Sequence, residues 1–377
     1  MPNSAQKPVS KPILLLGEAK GAEEHRIGSS FVGASGVELL RLLNEAGIIT
    51  LTGTDKGFIG DYYRRGDPRA IDSVWKLHPE VYRTNVFQIH PPANRLEWFC
   101  GDRASGIDSY PALLPSRYVR REFEPELDRL ADEILARDPN LIIGLGNTAL
   151  WALCGRTGVG KLRGTTQLTS HCVSGYKLLP TYHPASLFRQ WENRPTTVMD
   201  LVKAKREATF PEIRRPACEI WIEPTLEDID DFFTRYVRTG CELLSTDIET
   251  TGSRITCIGF APSAARAIVI PFDDERAKGG SYWPDRAAEA AAWALVRGVL
   301  LDGTIPKLFQ NGLYDIAFLW RSYGIGVRGC REDTMLLSHA LQPESLKGLA
   351  YLGSVYTDHG SWKSDRKIAG ETIGRDK

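Results

Sequence analysis

Short apolar runs alternate with glycine-rich loops and amphipathic stretches along most of the chain. Apolar runs of this kind predict buried strands, whereas apolar positions repeating every three or four residues predict helices. In the first half the pattern predicts strands over residues 12–16, 83–89, 141–145 and 177–181, and helices over residues 37–46, 125–137, 147–153 and 197–206. In the second half it predicts strands over residues 219–222, 242–247, 255–261, 266–271 and 307–310, and helices over residues 226–236, 287–300, 314–323 and 334–341. Strands that alternate with helices indicate α/β sheets, in which ligands gather at the carboxyl ends of the strands.

Chain length and a break in the pattern predict two domains. The chain has 377 residues, and a single core rarely grows past about 250 residues. Residues 208–217 hold two prolines and no periodicity, so we predict domains over residues 1–210 and 211–377. The zero net charge divides unequally, because 27 basic and 23 acidic residues give +4 in the first domain, and 20 and 24 give −4 in the second. The ordinary composition excludes a disordered, collagen-like or coiled-coil protein.

Neither a membrane span nor a cysteine-based site is predicted. No run of about 18 apolar residues occurs. The short apolar run at residues 13–16 is closed by Gly17 and Glu18, so it predicts a buried strand and not a signal peptide. The seven cysteines are scattered and never form C-x-x-C, which argues against disulfides, zinc and iron–sulfur clusters. We therefore predict a cytoplasmic protein with reduced thiols.

The second domain carries a pair of carboxylates at the end of a predicted strand. Side chains alternate along a strand, so Asp247 and Glu249 lie on the same side. Such carboxylates repel each other unless a cation lies between them, and Mg²⁺ or Mn²⁺ is held by oxygen ligands of this kind. Two metal ions would activate a water for phosphodiester cleavage. Asp315, at a strand-to-helix junction, supplies a third carboxylate. Alone, D-x-E is common and usually only solvated; the apolar strand that follows it favours the metal hypothesis.

Residues 219–358 resemble the 3′–5′ proofreading exonuclease domain of family A DNA polymerases, which has a DnaQ-like, ribonuclease-H-like α/β fold. The resemblance implies that Asp247, Glu249 and Asp315 ligate the metal pair. It also implies that Asn311 is the polar residue of the second motif, and that Thr250 and Thr251 lie beside the terminal nucleotide. Asp333 is interpreted as structural or as a helix N-cap. The final Tyr-x-x-x-Asp motif is not found before Lys377. We therefore expect a truncated domain: a fragment, a site completed by a second polypeptide, or a domain that only binds DNA.

The first domain places an acid, an aromatic ring, an amide and an imidazole near the ends of its strands. Glycines in the loop at residues 17–36 allow a ligand to approach the backbone closely. An Asn pairs with a base edge and a ring stacks on its face, so Glu18, Phe31, Asn85 and His183 could hold a planar base. Individually, His-Pro is usually a turn and a loop Phe is usually core. GLGNTA at residues 144–149 matches a dinucleotide fingerprint by letter but lacks an acidic residue near 169, so an NAD-dependent oxidoreductase is a weak hypothesis.

Residues 12–206 resemble the uracil-DNA glycosylase superfamily, mostly its family 4 type. The ordered motifs are GEAKGAEEHRIGSSFVGASG, TNVFQIHPPANR, LIIGLGNTALWALCG, KLRGTTQ and LPTYHPASLFR. The resemblance implies a three-layer α/β/α fold and a flipped base in a pocket. It implies that Phe31 stacks on the base, that Asn85 reads its edge and that Glu18 positions or activates the water. It further implies that His183 stabilises the departing base and that Leu187 is the wedge in the duplex. Arg163 and Arg189 would contact phosphates. Lys20 replaces the family's Pro, Ala185 stands where Ser is usual, and the cluster cysteines are missing, with Ile89 at one such position. No iron–sulfur cluster is therefore expected.

The two resemblances together predict a bacteriophage-type DNA replication or repair protein, the N-terminal portion of a DNA polymerase I-like protein. Its partners would be single-stranded DNA or a DNA 3′ end and, as an open alternative, a separate polymerase polypeptide. It would act in the cytoplasm, of the bacterial host if it is phage-encoded. The competing hypothesis is a catalytically decayed DNA-binding accessory subunit of a replisome.

Overall fold

The computed structural model describes residues 13–277 and 279–359. These residues pack into two compact units, the first formed by residues 13–214 and 350–359 and the second by residues 215–349. The sequence-based boundary was placed after residue 210, and residues 350–377 were assigned to the second domain. The structure differs because side chains of residues 351–358 hydrogen-bond to the first unit. Within the described residues, no helix has both the length and the apolar character needed to cross a membrane.

The first unit contains a five-stranded sheet in the order β2-β1-β5-β7-β6, in which only β6 runs antiparallel to its neighbour. Its strands are β1 (Ile13–Ala19), β2 (Val81–Phe87), β5 (Leu141–Leu145), β6 (Gln167–Ser170) and β7 (Ser174–Thr181), and β3 (Cys100–Gly101) pairs separately with β4 (Tyr118–Val119). Its helices are α1 (Ala22–Ile27), α2 (Ala34–Glu45), α3 (Gly53–Arg65), α4 (Arg69–Lys76), α5 (Glu124–Arg137), α6 (Gly146–Cys154), α7 (Val159–Leu162), α8 (Pro184–Leu187), α9 (Arg194–Glu207) and the late helix α14 (Leu349–Tyr356).

Alternate residues of β1 enter two different cores, so helices cover both faces of the sheet. Leu14 and Leu16 pack in one apolar cluster with residues of α5 and α6, whereas Leu15 packs in another with residues of α2, α4 and α9. A central parallel strand is buried on both faces in this way. The predicted three-layer α/β/α fold is confirmed. Helices α3 and α4 lie within residues 52–80, where the sequence pattern predicts no element.

The second unit contains a six-stranded mixed sheet in the order β13-β12-β9-β10-β11-β8. Its strands are β8 (Glu219–Trp221), β9 (Leu244–Thr251), β10 (Arg254–Ser263), β11 (Arg266–Pro271), β12 (Lys307–Phe309) and β13 (Cys330–Asp333). Its helices are α10 (Leu226–Phe232), which continues as a π-helical turn (Phe233–Val237), α11 (Arg286–Leu301), α12 (Gly312–Tyr323) and α13 (Thr334–Leu341). Strands β9, β10 and β11 form an antiparallel meander, and β12 joins β9 in parallel. This is the ribonuclease-H-like α/β arrangement that the sequence predicts.

Candidate functional site

A cavity of about 670 Å³ opens at the carboxyl edge of the five-stranded sheet. Its lining includes residues that follow or end β1, β2, β5 and β7, where ligands bind in open α/β sheets. Five of the predicted site residues line it: Glu18, Phe31, Asn85, His183 and Arg189. Gly17 of β1 lies directly opposite Asn85 of the neighbouring strand β2. The structure therefore brings together the acid, the ring, the amide and the imidazole that the sequence places far apart.

Phe31 is held firmly in an unusual backbone conformation. Its φ of 56° lies in the left-handed region that non-glycine residues seldom adopt. The Phe31 N–H donates to Glu24 Oε1 at 2.5 Å, and Trp75 Nε1 donates to the Phe31 carbonyl oxygen at 2.8 Å. Gly17 makes room for the ring, since a Cβ at Gly17 would lie 2.6 Å from Phe31 Cζ. These contacts fix an aromatic ring at the wall of the cavity. The centroids of the Phe31 and His183 rings are 6.1 Å apart.

The amide of Asn85 is oriented by a carboxylate that the sequence analysis did not single out. Asn85 Nδ2 donates to Glu24 Oε2 at 3.1 Å and to Ser30 Oγ at 3.4 Å. Burial raises the pKa of Glu24, although hydrogen bonds from the backbone N–H groups of Gly21 and Phe31 oppose that rise. Asn85 Oδ1 lies against Gly17, where a Cβ would approach it to 2.2 Å. The signal available in the sequence was an acidic residue three positions after Gly21, where it can accept from the start of a helix.

Glu18 lines the cavity and accepts a hydrogen bond from a neighbouring helix. Thr148 Oγ1, on α6, donates to Glu18 Oε2 at 2.6 Å. Burial raises the pKa of Glu18, and the charge of Glu97 adds to the rise, whereas Thr148 and Arg189 oppose it. A carboxylate with a raised pKa is a better proton acceptor than an ordinary surface carboxylate. Glu18 is therefore suited to activating a water molecule in the cavity.

His183 presents a neutral imidazole with a defined tautomer. It is the N-cap of α8, and its Nδ1 accepts a hydrogen bond from the Ala185 N–H at 3.1 Å. Since Nδ1 is an acceptor, the proton of the neutral ring resides on Nε2. Burial, together with the positive charge of Arg189, lowers the pKa of His183 to about 4. The ring is thus an uncharged Nε2–H donor at neutral pH, a suitable partner for an oxygen on which negative charge grows.

Two predicted residues of the first domain do not face this cavity. Leu187 is fully buried in the core beside α2, so its side chain is not exposed to enter a DNA duplex. Arg163 is 1% exposed and forms a bidentate ion pair with Asp200, so it is not exposed to a phosphate. Arg189 is exposed and lines the cavity. Its neighbour Phe188, 54% exposed, is an apolar side chain that the sequence analysis missed, because the motif points one position earlier.

In the second unit, Asp247 and Glu249 lie on the same, exposed side of β9, as the sequence predicts. Thr246 and Ile248 alternate with them and are buried. Thr250 follows on the same strand, and its hydroxyl is hydrogen-bonded to the Tyr314 hydroxyl at 2.8 Å. The carboxyl-terminal half of β9 therefore carries two exposed carboxylates and one half-buried hydroxyl.

Asp315 is buried and faces the backbone of β9. Its Oδ1 accepts a hydrogen bond from the Ile248 N–H at 3.1 Å. Burial raises the pKa of Asp315, and the charges of Asp333 and Glu249 add to the rise. A bound cation would relieve this excess of negative charge. Asp315 is nevertheless engaged with the backbone in this conformation.

Asp333 supports the backbone around the second unit's predicted site. It is the N-cap of α13, as the sequence analysis proposed. Its carboxylate also accepts hydrogen bonds from the N–H groups of Asn311 and Gly312 at 3.2 and 2.8 Å. Asn311 adopts a left-handed conformation with φ of 60° at the start of α12. Burial would raise the pKa of Asp333, but these backbone donors outweigh burial and lower it. Its role is structural.

A complete metal-ligand set is not assembled around these carboxylates. Across residues 13–277 and 279–359, no group of three or more His, Cys, Asp or Glu side chains is arranged to hold a metal ion. Asp247, Glu249 and Asp315 are therefore not gathered into such a group within the described residues. The predicted Mg²⁺ or Mn²⁺ requirement remains a prediction.

Comparison with known proteins adds a family for each unit. Residues 5–208 match the family model described as the uracil DNA glycosylase superfamily, which is more than half of the chain, and residues 225–369 match the model described as 3′-5′ exonuclease. The type-4 uracil-DNA glycosylase of Thermotoga maritima is 28% identical over 197 residues, 51% of this chain and 76% of its own length. That of Pyrobaculum aerophilum is 29% identical over 183 residues, 47% of this chain and 68% of its own length.

Two solved structures resemble part of the chain. The EXD2 exonuclease domain soaked in Mg and dGMP shares 17% identity at a TM-score of 0.25, covering 37% of this chain and 69% of that chain. Brucella melitensis NrnC shares 16% identity at a TM-score of 0.25, covering 44% of this chain and 65% of that chain. Similarity at this level carries no argument about chemistry, so the assignment of the second unit depends on the family model.

Proposed function

Because the chain belongs to the uracil-DNA glycosylase superfamily through residues 5–208, we propose that its first unit is a hydrolase that releases uracil, or a related modified base, from DNA. The observation that carries this proposal is the single cavity lined by Glu18, Phe31, Asn85 and His183. A base inside a duplex is out of reach of such a cavity, so the base is flipped out of the stack. Stacking on Phe31 and pairing with Asn85 offset the cost of unstacking.

The hydrolysis follows from the protonation states of two side chains. Glu18, as carboxylate, accepts a proton from a water molecule as the water oxygen attacks the sugar C1′ and the bond between C1′ and the base nitrogen breaks. The bonding electrons leave with the base, whose carbonyl oxygen becomes negative. His183 donates its Nε2–H to that oxygen while remaining neutral, which stabilises the departing base without transferring a proton to it.

DNA positioning is assigned to the exposed residues beside the cavity. Arg189 lines the cavity and is exposed, so it contacts a phosphate next to the flipped nucleotide. Phe188 replaces Leu187 as the side chain that fills the gap left in the base stack, since Phe188 is exposed and Leu187 is buried. Apolar wedges of this kind are commonly inserted between base steps.

A base-release assay tests the first proposal. Single-stranded DNA carrying one uracil is incubated with the full chain, and abasic sites are converted to strand breaks with alkali. Glu18→Gln should abolish release, because an amide cannot accept the proton of water. Glu122→Gln, the same change at an exposed carboxylate, should leave release unchanged. Absence of abasic sites with the wild-type chain, across uracil and other deaminated bases, would overturn the proposal.

For the second unit, the proposal is a metal-dependent 3′–5′ exonuclease-type domain that acts on DNA 3′ ends. It is supported by the family match to residues 225–369 and by the same-face carboxylates Asp247 and Glu249. DNA labelled at its 3′ end should shorten with Mg²⁺ or Mn²⁺, and Asp247→Asn should prevent shortening. Asp230→Asn, at an exposed surface ion pair, is the matched control. Shortening that persists in Asp247→Asn refutes the site.

The alternative for this unit is binding of a DNA 3′ end without cleavage. The engagement of Asp315 with the Ile248 N–H favours it, since this carboxylate is turned to the backbone in the described residues. Under this alternative the label stays intact with either metal, while the chain still binds 3′-recessed DNA in a salt-dependent manner. The two outcomes are mutually exclusive for the same labelled DNA.

We further propose that the protein acts in DNA replication or repair of the bacteriophage type, in the cytoplasm of a bacterial host; the presence of both family matches in one chain supports this proposal. A separate polymerase polypeptide is the proposed partner. Co-purification of the chain with such a polymerase from infected cells, and a higher rate of uracil release in its presence, would support this placement. Independent migration of the two proteins at micromolar concentration would contradict it.

A further inference from the structure

One stretch of the chain packs in the first unit although it follows the second unit in sequence. We call residues 350–358 the strap; its first seven residues belong to α14. The strap lies inside the range matched by the 3′-5′ exonuclease family model, residues 225–369, whereas the structure groups it with residues 13–214. Leu352, Gly353 and Ser354 are buried. The strap thus packs as part of the first unit, although the family model of the second unit includes its sequence.

The strap completes the hydrogen bonding of a buried ion pair. Arg163 Nε donates to Asp200 Oδ2 at 2.7 Å and Arg163 Nη2 donates to Asp200 Oδ1. The remaining terminal nitrogen, Nη1, donates to Ser354 Oγ at 3.0 Å. A buried guanidinium that loses an acceptor is destabilised, because little water is present to replace it. Ser354 therefore satisfies a donor that Asp200 does not reach.

Three further contacts tie the strap to α9. The Tyr351 hydroxyl is hydrogen-bonded to Thr196 Oγ1 at 2.6 Å. Lys203 Nζ donates to the Thr357 carbonyl oxygen at 2.7 Å, and Arg206 forms an ion pair with Asp358. The Tyr351 ring also lies 5.4 Å from the Arg163 guanidinium, within reach of a cation–π interaction. The strap therefore contacts Arg163 and also α9, the helix that carries Asp200.

The ion pair in turn holds the end of the strand that leads to His183. Thr181 Oγ1 donates to Asp200 Oδ2 at 2.7 Å, and Thr181 is the last residue of β7. The N–H of Gly164, the residue after Arg163, donates to the Pro180 carbonyl oxygen at 2.9 Å. His183 follows Thr181 by two residues. Continuous hydrogen bonds therefore run from Ser354 through Arg163 and Asp200 to the segment that carries the imidazole.

From this network we infer that the strap is a positioning element for His183. Ser354 and Tyr351 fix Arg163, Arg163 fixes Asp200, and Asp200 fixes the end of β7. Weakening the strap lets the His183 segment move while the exposed Arg189 keeps its contact with DNA. The kinetic consequence rests on the proposed base-release function, whereas the consequence for the mobility of residues 181–187 does not.

Hydrogen exchange in the full chain tests the structural part. The double variant Tyr351→Phe/Ser354→Ala removes two side-chain oxygens of the strap. Amide protection at residues 181–187 should fall about tenfold, because one buried hydrogen bond to a charged group is lost. Tyr356→Phe makes the same chemical change as Tyr351→Phe at a side chain that is 53% exposed, and it should leave protection unchanged. Faster exchange confined to residues 350–358 would overturn the inference.

Steady-state kinetics of uracil release tests the catalytic part. In the double variant kcat should fall about tenfold with KM changed less than about twofold, matching the loss of protection. Ile134→Val, a cavity-forming change in the core of the same unit, controls for general destabilisation. An equal fall in kcat in Ile134→Val would overturn the positioning role. If the wild-type chain releases no base, the function proposal fails by itself, and hydrogen exchange still decides whether the strap orders residues 181–187.

Discussion

Replacing His183 with Asn should remove a group that stays neutral far below its ordinary pH range. The structure lowers the pKa of His183 from 6.5 to about 4, through burial and the charge of Arg189. At pH 6 an ordinary histidine is about three-quarters protonated, whereas His183 should be protonated in only about 1% of molecules. His183→Asn keeps the cap of α8, because Asn is itself a favourable N-cap residue.

The same shift has a consequence for folding stability. A histidine whose folded pKa is lowered binds its proton more readily when unfolded, so folding loses stability as pH falls from 6.5 towards 4. At about 1.4 kcal/mol for each pH unit, the wild-type chain should lose about 2 kcal/mol of unfolding free energy between pH 7.5 and pH 5 that His183→Asn does not lose. Glu18 and Glu24 titrate in both proteins, so their contributions cancel in the comparison.

Two measurements check this prediction. A ¹⁵N-histidine NMR titration should contain one imidazole that remains neutral at pH 5 and is missing from His183→Asn. Urea unfolding at the two pH values, followed for the first unit, should give the difference in free energy. An imidazole at position 183 that titrates near 6.5, or identical pH dependence of the two proteins, would refute the argument that burial keeps the ring neutral.

Three further substitutions distinguish a structural role from a role in DNA binding or base release. Arg163→Ala should lower the unfolding free energy by about 3–5 kcal/mol in denaturant titrations, since it leaves the buried Asp200 without its charged partner. Arg189→Ala should leave stability unchanged but reduce the salt dependence of DNA binding by about one phosphate contact, measured by fluorescence anisotropy; unchanged salt dependence would contradict that role. Gly17→Ala should abolish base release without unfolding the chain, because its Cβ would lie 2.2 Å from Asn85 Oδ1; full activity would show that the cavity wall yields.

Sequence reasoning located the cavity residues of the first unit because each lies near the end of a predicted parallel strand. Glu18, Asn85 and His183 belong to β1, β2 and the turn after β7. Parallel strands place their carboxyl ends at one edge, so strand order alone brings such residues together. The motif letters were less informative for Arg163, because its burial depends on Asp200 and Ser354, which lie 37 and 191 residues away.

The local pattern failed where tertiary contacts decide the outcome. Phe188 and Leu187 are adjacent, and only the packing of α8 on α2 shows which one is exposed. Asp315 was correctly placed at a strand-to-helix junction, but its hydrogen bond to the Ile248 N–H spans 67 residues. Glu24 accepts local hydrogen bonds from the Gly21 and Phe31 N–H groups, but it was overlooked because its contact with Asn85 spans 61 residues.

The strap also affects the order in which the protein can fold during its synthesis. Residues 215–349 separate the two stretches that build the first unit, so Arg163 and Asp200 leave the ribosome long before Ser354. At about 5–20 residues per second, the roughly 150 residues between Asp200 and Ser354 take about 8–30 s to synthesise. During that interval the nascent first unit carries its buried ion pair without its last hydrogen-bond acceptor. The second unit can fold in the meantime. The first unit therefore begins to fold earlier than the second unit but is completed later.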